Sequence, residues 1–594
     1  MFPSRAPFFR DGLSPRAAEI AAWAEEKERG NLPDSPYAPS PAASAPAPLI
    51  AVTERLRRAT DLVLSVRPAY LLGGLVTVQW LAVLAFAVTV RHNGWLFYSG
   101  GDQLWHYTDA YVLGHRLQPP SFVGYGWSML LLPLTPFAGP NLVSALPAIV
   151  LFNTLVLLPI ALLCIYGIAA RIGGRLFGYW AAALWIALPY FGILFVEPGY
   201  HQKYTELTIP HIVGLTAMSD FPSMVGLLIS AYLCLRALES SSRLTMVAAG
   251  FAAGYAIAIK PSSAIFLFAP AMLLLLTRWR TVLPFMLGLA PVLATLALWK
   301  YRGLGHLGAA NEEPVRLASG VGDLLRRIHN PDANSWSHFY ANVTALREHF
   351  WVARVLEWLP FAGAIGLFAR SRRGLLLVAP WFATFLAIKG SYFQARMDDA
   401  SFFRILLPAF PAFVLLMAAV PLLFPGARAR PAPVPPTVLK GRRLFAAAAA
   451  AVAVFAIFPV VVIAAARQVG DEAHMLDYAD TLVPIRDLGL KATQDGNAVR
   501  LTWNGQHVSP AKTFYTVLRT NRPAGGVTCA HVTGASVDCR LDVDNLFPTR
   551  ATSLTDSPGL GTWTYRVTVS ANWLNDTQQG DAYVVSPPVV VTVP

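Results

Sequence analysis

AYLLGGLVTVQWLAVLAFAVTV, residues 69–90, carries no charged side chain and is long enough as a helix to cross the hydrocarbon core of a bilayer. No earlier apolar run is that long, so this one is read as an uncleaved anchor rather than a signal peptide. Further runs of membrane length or close to it follow at 143–170, 176–196, 213–235, 244–259, 262–277, 281–299, 351–369, 374–390, 405–424 and 444–466. Composition agrees. With 55% hydrophobic and 14% charged residues in 594, and mean hydropathy +0.47, the chain has too much apolar surface for soluble cores alone. The expected fold is a polytopic α-helical membrane protein of about 11 transmembrane helices.

The net charge of +13 would suggest nucleic acid in a soluble protein, but here the basic residues gather in short clusters between apolar runs. Arg171 and Arg175, Arg236 and Arg243, Arg278 and Arg280, Arg370, Arg372 and Arg373, and the group from Arg428 to Arg443 occupy alternate connections. With the arginines before residue 68 they all fall on one side, as the positive-inside rule requires of the cytoplasm. The expectation is a multi-pass plasma-membrane protein with a cytoplasmic N-terminus, an extracytoplasmic C-terminus and no nucleic-acid partner. Residues 1–67 divide into an amphipathic stretch around 16–29, a Pro/Ala/Ser linker near 32–48 expected to be disordered, and a second amphipathic stretch. In the latter, Leu56, Leu62 and Val63 oppose Arg55, Arg57 and Arg58.

The transmembrane region is assigned to 68–467, a linker to 468–490 and an outer domain to 491–594. In the last of these, Trp563, Tyr565, Val567 and Val569 alternate with Thr562, Thr564, Arg566 and Thr568, the period of a half-buried antiparallel sheet. An early Trp503 and a late strand Tyr565 in about a hundred residues resemble a fibronectin type III sandwich. Cys529 and Cys539 are close in sequence and fall in a domain assigned to an oxidising compartment, so a disulfide is expected. Cys164 and Cys234 lie in apolar runs and read as packing residues.

Polar residues of unusual kind lie in the loops assigned to the outside. The first such loop contains S-G-G-D-Q-L-W-H-Y, residues 99–107, which places Asp102 just beyond the lipid. A carboxylate there is either a solvated loop residue or a functional group. Around it stand Gly100-Gly101-Asp102-Gln103, Tyr107 to Gly114 (YTDAYVLG) and Pro119-Pro120. Ser219-Asp220-Phe221-Pro222 opens a later run, Gly250 and Gly254 lead to Ile259-Lys260-Pro261, and Phe403-Arg404-Ile405-Leu406-Leu407-Pro408 opens a late one. In order and spacing these stretches, about a quarter of the chain, resemble the GT-C glycosyltransferases, in particular protein O-mannosyltransferases and the lipid A aminoarabinose transferase. The resemblance aligns Asp102 with their catalytic carboxylate. Gln103 stands where many relatives carry a second acid, which puts a paired-acid or metal-bridged mechanism in doubt, and Ile405 stands where a tyrosine is usual.

The resemblance implies glycan or cell-wall biosynthesis: an inverting transfer from a polyprenyl-phosphate-linked sugar to a hydroxyl of a glycan, lipid or protein acceptor. Asp102 would be the general base. Lys260, Arg396 and Arg404, all placed at outer ends of spans, are the candidates for holding the donor phosphate. Pairing of the two arginines with Asp398 and Asp399, or snorkelling of Lys260, is the plain alternative. Gln103, Asp220 and His201 are assigned to the acceptor side or its support, although Asp220 reads equally well as a helix cap. Asp109 reads as structural. Glu197, His201, Lys203, Glu206 and His211 match no strict metal-ligand spacing, so no metal and no cofactor are assigned and a divalent ion has no support. A polytopic transporter or lipid-linked oligosaccharide flippase is the alternative function, and an adhesion or scaffold protein working through its outer domain is a third.

Overall fold

The computed structural model describes residues 58, 60–89, 102–195, 214–305, 359–390, 406–424, 446, 449–468, 475–478, 481–506, 512–530, 538–546, 548–572 and 582–594. The amphipathic stretch at 16–29 and the linker at 32–48 lie outside them.

Helices α1 (Pro68–Thr89), α2 (Asp102–Gly114), α3 (Tyr125–Leu131), α4 (Leu142–Gly173), α5 (Arg175–Phe195), α6 (Asp220–Ser240) and α7 (Arg243–Ile259) come first. There follow α8 (Phe268–Arg278), α9 (Val282–Leu304), α10 (Leu359–Arg370), α11 (Arg372–Gly390), α12 (Phe410–Ala418) and α13 (Phe458–Ala465). Among the described residues, four helical stretches are long and apolar enough to cross a membrane: Pro68–Ala85, Leu142–Gly173, Asp220–Ser240 and Pro261–Leu304. The last is broken at Arg278 (φ −158°, ψ 68°) and the 3-10 turn Trp279–Thr281, which separates α8 from α9. Leu81, Leu155, Leu283, Leu287, Ile365 and Phe368 are each more than half exposed. A belt of that kind has no stable contact with water and requires lipid. The core between the helices is built on fully buried Trp127, Trp185, Trp299, Trp381, Tyr107 and Tyr125.

Prolines and glycines shape the bundle. In α4 a π-turn, Asn153–Leu157, sits just ahead of Pro159, and a second, Ala453–Ile457, just ahead of Pro459. A ring with no N–H, crowding the carbonyl four residues back, is relieved by widening the turn. Helix α7 lies between α6 and α9. A methyl group at Gly250 would overlap the Phe285 carbonyl oxygen, and one at Gly288 the Val247 carbonyl oxygen. These glycines let two backbones touch, the packing that membrane helices use in place of a hydrophobic driving force. Gly250→Val is expected to cost about 1–3 kcal/mol, read as a lowered melting midpoint in detergent. A variant as stable as the parent would show that the α7–α9 contact can slide apart without loss.

The arginine clusters meet at one end of the bundle. Arg171 Nε lies 3.2 Å from Glu239 Oε2, and its guanidinium stacks 4.5 Å over Tyr232. Arg278 Nη1 donates to Ser241 Oγ at 2.8 Å, and Arg236 and Arg373 lie within electrostatic reach of Glu239. The opposite end carries α2, α3, the start of α6, the ends of α7, α9 and α11, and the exit of α13. Here β1 (Leu117–Gln118) pairs in parallel with β2 (Arg467–Gln468), and Arg302 donates to the Ala466 carbonyl, tying the first loop to the chain that leaves α13.

Beyond β2 the described residues form β-strands and a single 3-10 turn, Pro523–Gly526. β3 (Met475–Tyr478), β4 (Thr481–Pro484), β5 (Lys491–Asp495), β6 (Ala498–Thr502), β7 (Lys512–Thr520), β8 (Val527–Ala530), β9 (Asp538–Leu541), β10 (Asp544–Asn545), β11 (Ser553–Asp556), β12 (Gly561–Asn572), β13 (Ala582–Val585) and β14 (Val589–Val593) build three sheets. Their orders are β10-β7-β12-β13 with β14 also on β12, β11-β6-β5, and β4-β3-β9-β8. Met475–Tyr478 and Thr481–Pro484, expected within a linker, instead form β3 and β4, because β9 supplies a distant pairing edge at Asp477 and Arg540. The expected half-buried alternation in β12 is also modified. Arg566, Thr568 and Ser570 are buried along with Tyr565, Val567 and Val569, since β12 has strands on both edges and cover on both faces. Cys529 and Cys539 stand opposite each other on β8 and β9 and are disulfide-bonded. Trp503 packs on Tyr515, and the Tyr565 hydroxyl donates to Asp556 Oδ2 at 2.8 Å.

Candidate functional site

The first element of the site is a short non-helical segment, 214–219, where the sequence suggested that a span had already begun. Side chains from three other elements hold it open. Gln103 Oε1 accepts from the Ala217 N–H at 2.8 Å, Trp127 Nε1 donates to the Ala217 carbonyl at 2.7 Å, and Asn153 Nδ2 donates to the Thr216 carbonyl at 3.0 Å. With both backbone groups of Ala217 bound to side chains, the segment has no need of helical partners, and α6 begins only at Asp220. Gln103 is fully buried in this brace, so it positions the chain. Its contact fixes the first turn of α2, whose first residue is Asp102, against the entry to α6.

The second element is the end of α7. Pro261 forces the residue before it out of the helical region, and Lys260 is extended (φ −135°, ψ 102°). The sequence Lys-Pro therefore stops α7 and turns the lysine toward the start of α6, where it forms an ion pair with Asp220. Asp220 is fully buried, and its Oδ2 has no hydrogen-bond partner among the described residues. One turn on, Ser223 Oγ donates to the Ala256 carbonyl at 3.0 Å and lies 2.7 Å from Ser263 Oγ, closing α6 onto both sides of Lys260. Gly124 and Gly126 bring α3 against Ala258 and Ile259; a methyl on Gly126 would come within 2.7 Å of the Ile259 nitrogen. The loop that follows α2 thus packs directly beneath the lysine.

The third element was missed in the sequence. Lys389, near the end of α11, lies within electrostatic reach of both Lys260 and Asp220. Helix α11 is seated by Trp381, whose Nε1 donates to the Pro408 carbonyl at 3.0 Å and whose ring meets Phe266 edge-on at 4.9 Å. Among the described residues, two ammonium groups stand about one buried carboxylate, an arrangement suited to an anion. The available signal was that Lys389 ends a run that starts in an arginine cluster, and so must lie at the opposite end of the bundle.

A separate buried pair supports the same end. Lys300 Nζ donates to the Ser121 and Phe122 carbonyls at 2.6 and 2.9 Å, and Trp299 Nε1 to the Val123 carbonyl at 2.9 Å. Asp109 is buried on α2 within reach of Lys300; burial pushes its carboxyl well above the usual range, and the lysine opposes the shift. Of the residues singled out in the sequence, Gln103, Asp220 and Lys260 are thus brought to one end. Asp102 is described as the first residue of α2, and His201, Arg396 and Arg404 lie outside the described residues.

No family model matches the sequence, and no curated protein matches it. Among solved structures, the chain is similar to ArnT from Cupriavidus metallidurans, crystallised bound to undecaprenyl phosphate, with 16% identity and a TM-score of 0.35. That alignment covers 60% of this chain and 61% of ArnT, so the chain spans less than two thirds of that protein's length.

Proposed function

We propose that this chain is an integral-membrane glycosyltransferase that moves a sugar from a polyprenyl-phosphate donor to an acceptor hydroxyl at the outer face of the membrane. The reading rests on one observation: Asp220, Lys260 and Lys389 form a cationic cluster at the bundle end where Gln103 anchors the helix that opens with Asp102. Lys260 and Lys389 hold the donor phosphate, joined by Arg396 and Arg404 from the neighbouring loop. The Asp102 carboxylate takes the proton of the acceptor hydroxyl as that oxygen bonds to the anomeric carbon. The bond from that carbon to the phosphate oxygen breaks, and polyprenyl phosphate leaves with the electron pair, giving inversion. Asp220 keeps Lys260 in place and offers its unpartnered Oδ2 to the acceptor. His201 belongs to the acceptor side.

The membrane topology that goes with this reading has eleven spans, the arginine end in the cytoplasm, and the C-terminal domain outside as a fibronectin type III-like sandwich with an added four-stranded sheet. A transporter would need polar groups along a path at mid-membrane. Among the described residues, the charged clusters lie instead at the two ends of the bundle. The test is turnover in detergent, where no compartments exist. Purified protein with radiolabelled polyprenyl-phosphate mannose or arabinose, and a membrane glycan extract as acceptor, is expected to release polyprenyl phosphate and label the acceptor. Binding of both donors with no turnover would favour transport.

A further inference from the structure

A cleft of about 100 Å³ lies between the β domain and the bundle end that carries α2. One wall is the entry to α4, with Pro140 and Asn141 just before the helix and Ser144 in its first turn; the other comes from the β domain, with Arg486, Gln506 and Tyr583. Both walls lie beside α2. The Tyr107 hydroxyl donates to the Gly139 carbonyl at 2.7 Å, and Arg486 lies within electrostatic reach of Tyr111 on one side and Tyr583 on the other. Tyr583 is 7% exposed, yet its hydroxyl has no hydrogen-bond partner among the described residues. A buried hydroxyl of that kind is expected to be met by water or a ligand.

The lining combines a guanidinium, two amides and hydroxyls with an apolar floor of Leu488, Val569 and Val584. That mixture suits a molecule with hydroxyls around its rim and C–H groups on its face. The volume has room for several waters, and so for one sugar ring entering by its edge. Tyr111 is nine residues along α2 from Asp102, about 13 Å at helical rise, a reach for an oligosaccharide of a few units rather than a monosaccharide.

We infer that this cleft binds a sugar unit of the acceptor glycan, a few residues from the hydroxyl that reacts, and that the β domain acts as an acceptor clamp. The inference rests on the transferase reading for the identity of the glycan as acceptor, but binding can be measured without donor or turnover. The full chain in detergent is titrated with α-mannotriose, arabinotriose and glucuronate, for the parent, Tyr583→Phe and Arg486→Met. Neither change alters the membrane core. At least one neutral trisaccharide is expected to bind, about tenfold more weakly to Arg486→Met and about threefold more weakly to Tyr583→Phe, corresponding to the loss of one charged and one neutral hydrogen bond. In transfer assays Arg486→Met should raise the acceptor KM with kcat unchanged. Binding of neither trisaccharide, of glucuronate alone, or of a trisaccharide equally to all three proteins would overturn the inference. Loss of transfer with trisaccharide binding intact would count against the transferase reading and leave the cleft standing.

Discussion

Asp102→Asn is expected to lower transfer by about 10²–10⁴-fold, the range supplied by a positioned general base, while protein abundance, melting midpoint and polyprenyl-phosphate binding stay at parental levels. The structural reason for expecting a clean loss is local. Asparagine has nearly the shape of aspartate and is an equally good residue at a helix start, so α2 keeps its first turn. That turn is held independently by Gln103 on Ala217. The acceptor hydroxyl would meet an amide that cannot take its proton, and the pH dependence on the acid side should vanish with the rate. Gln103→Ala should behave differently. It leaves the Ala217 N–H without its side-chain acceptor and loosens the entry to α6, so it should lower stability and rate together. An Asp102→Asn protein with activity within a few-fold of the parent would remove this residue from the chemistry.

Much of this arrangement is legible in the residues themselves. Lys260 before Pro261 announces a helix end with an extended lysine, because the constraint is local and covalent. Gly250 and Gly254 at one helical spacing announce a close helix contact for the same kind of reason. The arginine clusters foretell which connections share an end, and the structure gathers Arg171, Arg236 and Arg373 around Glu239, with Arg278 on nearby Ser241. What is not legible depends on distant partners. Nothing in Gly214 to Ser219 forbids a helix; the segment stays open because Gln103, Trp127 and Asn153 reach it from elsewhere in the chain. β3 and β4 are four residues each and find their sheet only through β9, some sixty residues on, so as isolated sequence they read as linker. Lys389 looks like one more lysine at a span end until α11 is packed beside the 3-10 turn Pro261–Leu267. Tyr583 sits in a strand pattern that gives no hint of a cleft.

The two lysines are expected to answer to mutation in opposite ways, and the contrast tests the anion site. Lys260 is paired to a carboxylate that is fully buried. Lys260→Met should therefore strip a buried carboxylate of its ion-pair partner, with only Lys389 left within electrostatic reach, and cost about 3 kcal/mol, seen as a fall in melting midpoint or in yield. Adding Asp220→Asn should recover most of that loss, since the amide needs no counter-charge. Lys389 lies within electrostatic reach of the same acid, but its removal leaves the Lys260–Asp220 ion pair in place. Lys389→Met should leave the melting midpoint within a degree or two of the parent and weaken binding of polyprenyl phosphate by about 10–100-fold, the worth of one charge-assisted hydrogen bond. The weakening should shrink as salt is raised, because part of it is long-range attraction. Lys389→Arg, which keeps the charge, should recover much of the affinity. If Lys389→Met binds polyprenyl phosphate as the parent does, the cluster about Asp220 is a packing device. The phosphate would then have to be held by the arginines of the neighbouring loop alone.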